Sequence, residues 1–104
     1  MIDLTEFNKL EKYLRDNNVI YTRTTNVYPK MFSDGADYEK NQIIVYDDAL
    51  RRSWDAVCSI WSFGGDNGLL EIMGDIVVPE DFDDVVGYLT ADDVIARFEA
   101  IKKS

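Results

Sequence analysis

Histidine is absent from the 104 residues. Its absence removes the commonest general base and the commonest metal ligand together. No Ser-His-Asp triad can form, and no serine sits in a Gly-x-Ser-x-Gly elbow. Cysteine occurs once, at Cys58, so no disulfide can close within the chain. A reducing cytosol suits that usage. No apolar run approaches the roughly 18 residues that a membrane helix requires, and no signal-peptide pattern opens the chain. The expected location is cytoplasmic, with no membrane partner. Bases are scarce as well: 11 Lys and Arg stand against 20 Asp and Glu, a net charge of −9.

The acidity is uneven. Residues 1–64 hold ten acids and eight bases, whereas residues 65–104 hold ten acids and three bases, −7 in all. A field of this sign repels nucleic acid and anionic membrane and attracts a basic protein surface. Direct nucleic-acid binding is therefore not expected, since no basic stripe exists. The same charge also serves solubility. Hydrophobic residues make up 46% of the chain, with five Phe, six Tyr and two Trp, enough for one core. The length fits a single domain over 1–104.

Leu4, Phe7, Leu10 and Leu14 repeat at helical spacing, which predicts a helix over 4–17. Asp3 and Glu6 fit a capping box, with Ile2 and Phe7 as its hydrophobic staple. Val19 to Thr25 is β-branched and aromatic, a strand. Residues 26–41 hold Pro29, Gly35 and scattered charge and read as a loop. Gln42–Tyr46, Ser53–Trp61 and Leu69–Met73 read as three further strands. Trp54, Ala56, Cys58 and Ile60 share one face of the second. Ile76–Val78 extends the sheet or adds an edge. Glu80–Asp84 is an acidic turn with Phe82 as its anchor. Val85–Leu89 is apolar but broken by Gly87 and takes no assignment. Thr90 and Asp93 cap a last helix whose apolar stripe is Val94, Ile95, Phe98 and Ile101. The predicted fold is α+β in the order α-β-β-β-β-α: an antiparallel sheet of about four strands with both helices on one face.

Candidate chemistry is sparse. Cys58 lies mid-strand among Trp54, Ala56 and Ile60, a setting for packing and not for a nucleophile. Asp81 and Asp83 begin a calcium-loop pattern, but Val85 fills the fifth position and the glycine comes one residue late, at Gly87. The Gly64–Gly68 run lacks the lysine and helix of a phosphate cradle. No metal and no cofactor is expected. A small enzyme built on paired carboxylates ranks third among the readings, because no pair has a distinctive spacing.

Two features point to binding. Trp54 and Trp61 are seven apart, so a regular strand sends them to opposite faces. Trp61 and Phe63 then make an interface anchor unless a loop covers them. The acids Asp66, Asp75, Glu80, Asp81, Asp83 and Asp84 could imitate a phosphate row and occupy a basic groove.

The runs Ile44–Asp47, Trp54–Cys58, Gly68–Gly74 and Gly87–Val94 resemble small acidic proteins of Gram-positive gut bacteria and their phages and mobile elements. That resemblance covers the last two thirds of the chain and transfers no activity and no site residue. It implies a setting in which such proteins often inhibit host defence, as anti-CRISPR and anti-restriction proteins do. The leading expectation is a non-enzymatic module that binds a host protein with a basic surface, such as a nuclease. The alternative is a generic interaction or homodimerisation domain.

Overall fold

The computed structural model describes residues 2–28 and 38–103. Helix α1 spans Thr5–Asp16, followed by strands β1 (Tyr21–Tyr28), β2 (Tyr38–Tyr46), β3 (Arg52–Ser59), β4 (Leu70–Gly74) and β5 (Val85–Leu89), then helix α2 (Ala91–Lys102). The five strands form one antiparallel sheet in the order β1-β2-β3-β4-β5. The fold is α+β with helices at both ends of the chain, and the sheet has five strands where about four were expected.

Alternation decides which face of the sheet is covered. Ile43, Val45, Trp54, Ala56, Cys58, Leu70 and Ile72 point inward and are fully buried. Phe7, Leu10 and Leu14 of α1 and Ala91 and Val94 of α2 close the same core. Ile95, Phe98 and Ile101 pack against it only partly buried.

The ends of α1 differ from expectation. Its N-cap is Leu4, and the Asp3 carboxylate accepts from the Thr5 amide at 2.9 Å. Glu6 does not complete a capping box. Its carboxylate instead accepts from the Ala91 amide at 2.7 Å, tying α1 to the start of α2. The α2 box forms as predicted: the Thr90 hydroxyl accepts from the Asp93 amide, and the Asp93 carboxylate accepts from the Thr90 amide. At the far end of α1, Asn18 takes φ +57°, the left-handed stop that the Asn pair suggested.

Four further corrections concern strands and anchors. Residues 26–28 and 38–41 belong to β1 and β2, not to a loop, and the rest of that loop assignment lies outside the described residues. β3 ends at Ser59, so Ile60 leaves the core face and is half-exposed. Ile76–Val78 is not a strand. Ile76 is buried under the sheet, and the Val77 amide turns back to the Gly74 carbonyl. Val85–Leu89 is a strand despite Gly87, laddered to β4, and the glycine makes room for Phe63: a β-carbon there would stand 2.2 Å from the Phe63 Cβ.

Candidate functional site

The acidic turn is built by one ion pair. Pro79–Asp81 makes a single tight turn after extended Val78. The Asp81 carboxylate accepts from the Val78 amide at 2.8 Å, which closes the turn. It also receives two Arg97 nitrogens, each at 2.9 Å, one per oxygen. Arg97 donates further to the Ile76 carbonyl at 3.1 Å. A guanidinium and carboxylate paired this way are geometrically specific. The Arg97 hydrogen bonds, with the Val78 amide second, hold the Asp81 carboxyl down to about 2.

Phe82 overturns the expectation of an anchor. It caps the tight turn at φ +59°, its amide bonded to the Pro79 carbonyl. Its ring is 95% exposed. A bulky side chain in the left-handed region costs about 1 kcal/mol or more. Glu80, Asp83 and Asp84 flank the ring in sequence, and all are exposed. The site therefore has an exposed apolar ring that lines a shallow hollow with Asp83, Asp84, Val77, Val78 and Pro79.

The predicted acids do not form a single row. Asp75 follows β4 and accepts from the Ser53 hydroxyl at 2.9 Å. Because Met73 pairs with Val85, Asp75 and the acidic turn share one end of the sheet. Asp66 lies in the turn before β4, at the opposite end. Asp81 is turned inward to Arg97, whereas Asp66, Asp75, Glu80, Asp83 and Asp84 stay exposed.

At the Asp66 end stands an aromatic corner. Trp61 is 71% exposed and Phe63 55% exposed. The Phe63 amide donates to the Glu71 carboxylate at 2.7 Å, and its carbonyl accepts from the Tyr88 amide at 3.0 Å. These bonds fold the turn back against the outer side of β4 and β5. Tyr88, at φ +59° and 63% exposed, joins the corner. Sequence reasoning missed it. The signal was the glycine before it, which breaks the β5 pattern and admits Phe63. β5 thus runs between the acidic turn and the aromatic corner, about 16 Å at five residues.

The outer face of the sheet carries an open cleft of about 370 Å³ floored by Val57 and Met73 and walled by Trp61. Within it, buried Asp55 accepts from Gln42 at 2.7 Å and from Arg52 at 2.9 Å. Cys58 is fully buried on the opposite face. Burial, and then the Asp3 charge, push its thiol up to about 11. Among the described residues no group of three or more His, Cys, Asp or Glu is disposed to hold a metal ion. Among them also, no helix is long and apolar enough to cross a membrane. No family model, no curated protein and no solved structure matches the chain.

Proposed function

We propose that the chain is a non-enzymatic protein-binding module of a phage or mobile element that docks its acidic end on a basic host protein. In this reading it inhibits host defence by filling a groove that otherwise holds nucleic acid, as an anti-CRISPR protein would. The observation that carries the reading is Phe82, 95% exposed at positive φ among Glu80, Asp83 and Asp84. An exposed ring contributes nothing to the core, and its backbone costs stability. Such strain is most simply explained by what the ring contacts in a complex. The flanking carboxylates supply the steering charge. The charge of residues 65–104 and the resemblance to mobile-element proteins support the same setting.

The aromatic corner favours a second reading, an interaction domain held by Trp61, Phe63 and Tyr88. The two readings differ in their response to salt and to nucleic acid. The test is competition on a captured host partner. Excess duplex DNA or RNA displaces the chain if the acidic end occupies a nucleic-acid groove, and leaves it bound if the aromatic corner holds the partner.

A further inference from the structure

The two edges of the sheet are protected unequally. β5 is five residues long, is interrupted by the irregularity at Gly87 and Tyr88, and has Asp83 and Asp84 before it and Asp92 and Asp93 after it. Those are the devices by which natural edges avoid pairing. Self-pairing of β5 would bring the acids that flank it, Asp83 and Asp84, near those of a second copy. Within its described residues β1 has one such device, the inward-pointing charge of Arg23, and neither the shortness nor the irregularity of β5. It runs eight residues, Tyr21–Tyr28, without proline, glycine, lysine or acid, in unbroken register with β2. Its one charge, Arg23, is drawn to α1: the guanidinium donates to Asn8 and Glu11 at 2.8 Å each and lies 4.6 Å from the Phe7 ring centre.

The backbone groups of β1 that no described residue pairs can be identified. The Tyr46 amide donates to the Ile20 carbonyl at 2.9 Å, in line with the Tyr21–Val45 register. Antiparallel alternation then directs the even-numbered residues of β1 to β2. Tyr21, Arg23, Thr25 and Val27 present their N–H and C=O groups to the outside. A second β1 related by a two-fold axis through Thr24 would pair Tyr21 with Val27 and Arg23 with Thr25. That register satisfies all the open groups with eight hydrogen bonds. Shifting it by two residues loses at least two of them. On the outer face it sets Thr24 against Thr24 and Thr22 against Asn26. No like charges stand directly opposite one another, and the two Arg23, diagonal neighbours on the α1 face, are each paired with Glu11 of their own chain.

We infer that two copies of the chain associate through β1 in this register, centred on Thr24, to form a continuous ten-stranded sheet. The inference is independent of the proposed function, whose acidic end lies at the other edge. Sedimentation equilibrium and a cysteine cross-link test it together. Wild-type protein is expected at twice the 12.0 kDa chain mass at micromolar concentrations. Thr24→Lys places two ammonium groups face to face and is expected to raise the dissociation constant at least tenfold without altering the fold. Thr24→Cys is expected to form a disulfide dimer under mild oxidation, because opposed Cα atoms at a non-hydrogen-bonded pair are about 4.5 Å apart, within disulfide reach. Ile20→Cys, displaced from the axis, is expected not to cross-link with itself. Buried Cys58 does not interfere. A monomer at all concentrations up to about 1 mM, roughly the Kd of a very weak pair, overturns the inference. A dimer indifferent to Thr24→Lys, with no Thr24→Cys cross-link, overturns it equally and moves the contact to another surface.

Discussion

Asp81 and Arg97 meet as a two-pronged pair, each prong 2.9 Å, across sixteen residues of sequence. The pair fastens the acidic turn to α2 and fixes the backbone from which Phe82 projects. One acid of the predicted set is thus structural, and its neighbours carry the exposed charge. Neutralising all of Glu80–Asp84 would confuse loss of binding with loss of the turn. The informative variant keeps Asp81.

Acid should release this pair. The folded Asp81 carboxyl titrates near 2, below its ordinary 3.8. A group depressed in the folded state stabilises above its unfolded value, and that contribution is lost as pH falls through the folded value. Wild-type stability is expected to drop between about pH 4 and pH 2. Asp81→Asn is expected to melt several degrees lower at neutral pH and to show a flatter acid limb. Thermal melts across that range check both. An identical acid limb in the variant would mean that other carboxylates govern it.

Cys58 is expected to be inert. Its thiol is buried and pushed up to about 11, so little thiolate forms at neutral pH. A bulky thiol reagent should react only as the protein unfolds. Cys58→Ala should cost about 1 kcal/mol, the loss of a small buried group. Rapid stoichiometric labelling of folded protein would contradict the assignment.

Phe82 separates stability from binding. Phe82→Gly removes an exposed ring from a positive-φ position. Relief of the left-handed backbone, offset by the flexibility of glycine in the unfolded chain, should leave stability unchanged or raise it by up to about 1 kcal/mol. Binding to the host partner should weaken about tenfold or more, the loss of one interface anchor. Denaturant midpoints and titrations on the same samples compare the two. A destabilised variant with unchanged affinity would make Phe82 a structural residue.

Local signals were legible in the sequence. The spacing of Phe7, Leu10 and Leu14 and the alternation of Trp54, Ala56 and Cys58 place the core correctly, because periodicity is a property of the element itself. The Thr90–Asp93 box is equally local. The Asp3–Glu6 pattern has the same form, yet Glu6 serves the Ala91 amide, a donor eighty-five residues away. β5 was hidden because the reason for Gly87 is Phe63, in another turn. Phe82 reads as the anchor of the acidic turn, whereas in the turn fixed by Asp81 and Arg97 its ring is exposed. The exposed acids were named from composition, but their division between the two ends of the sheet follows from strand order.

The account rests on the acidic end as the partner-binding surface, and the most direct measurement is affinity against salt. Wild type and the Glu80→Gln, Asp83→Asn, Asp84→Asn triple variant are titrated on the captured host partner from about 50 to about 500 mM salt, a range over which screening shortens the reach of exposed charge. The account predicts wild-type affinity that falls steeply with salt. It also predicts a variant that binds at least tenfold more weakly at low salt, through slower association, with a shallower salt dependence. Equal affinity of the two proteins at low salt would contradict it, leaving the charge of residues 65–104 to solubility and the partner to the corner of Trp61, Phe63 and Tyr88.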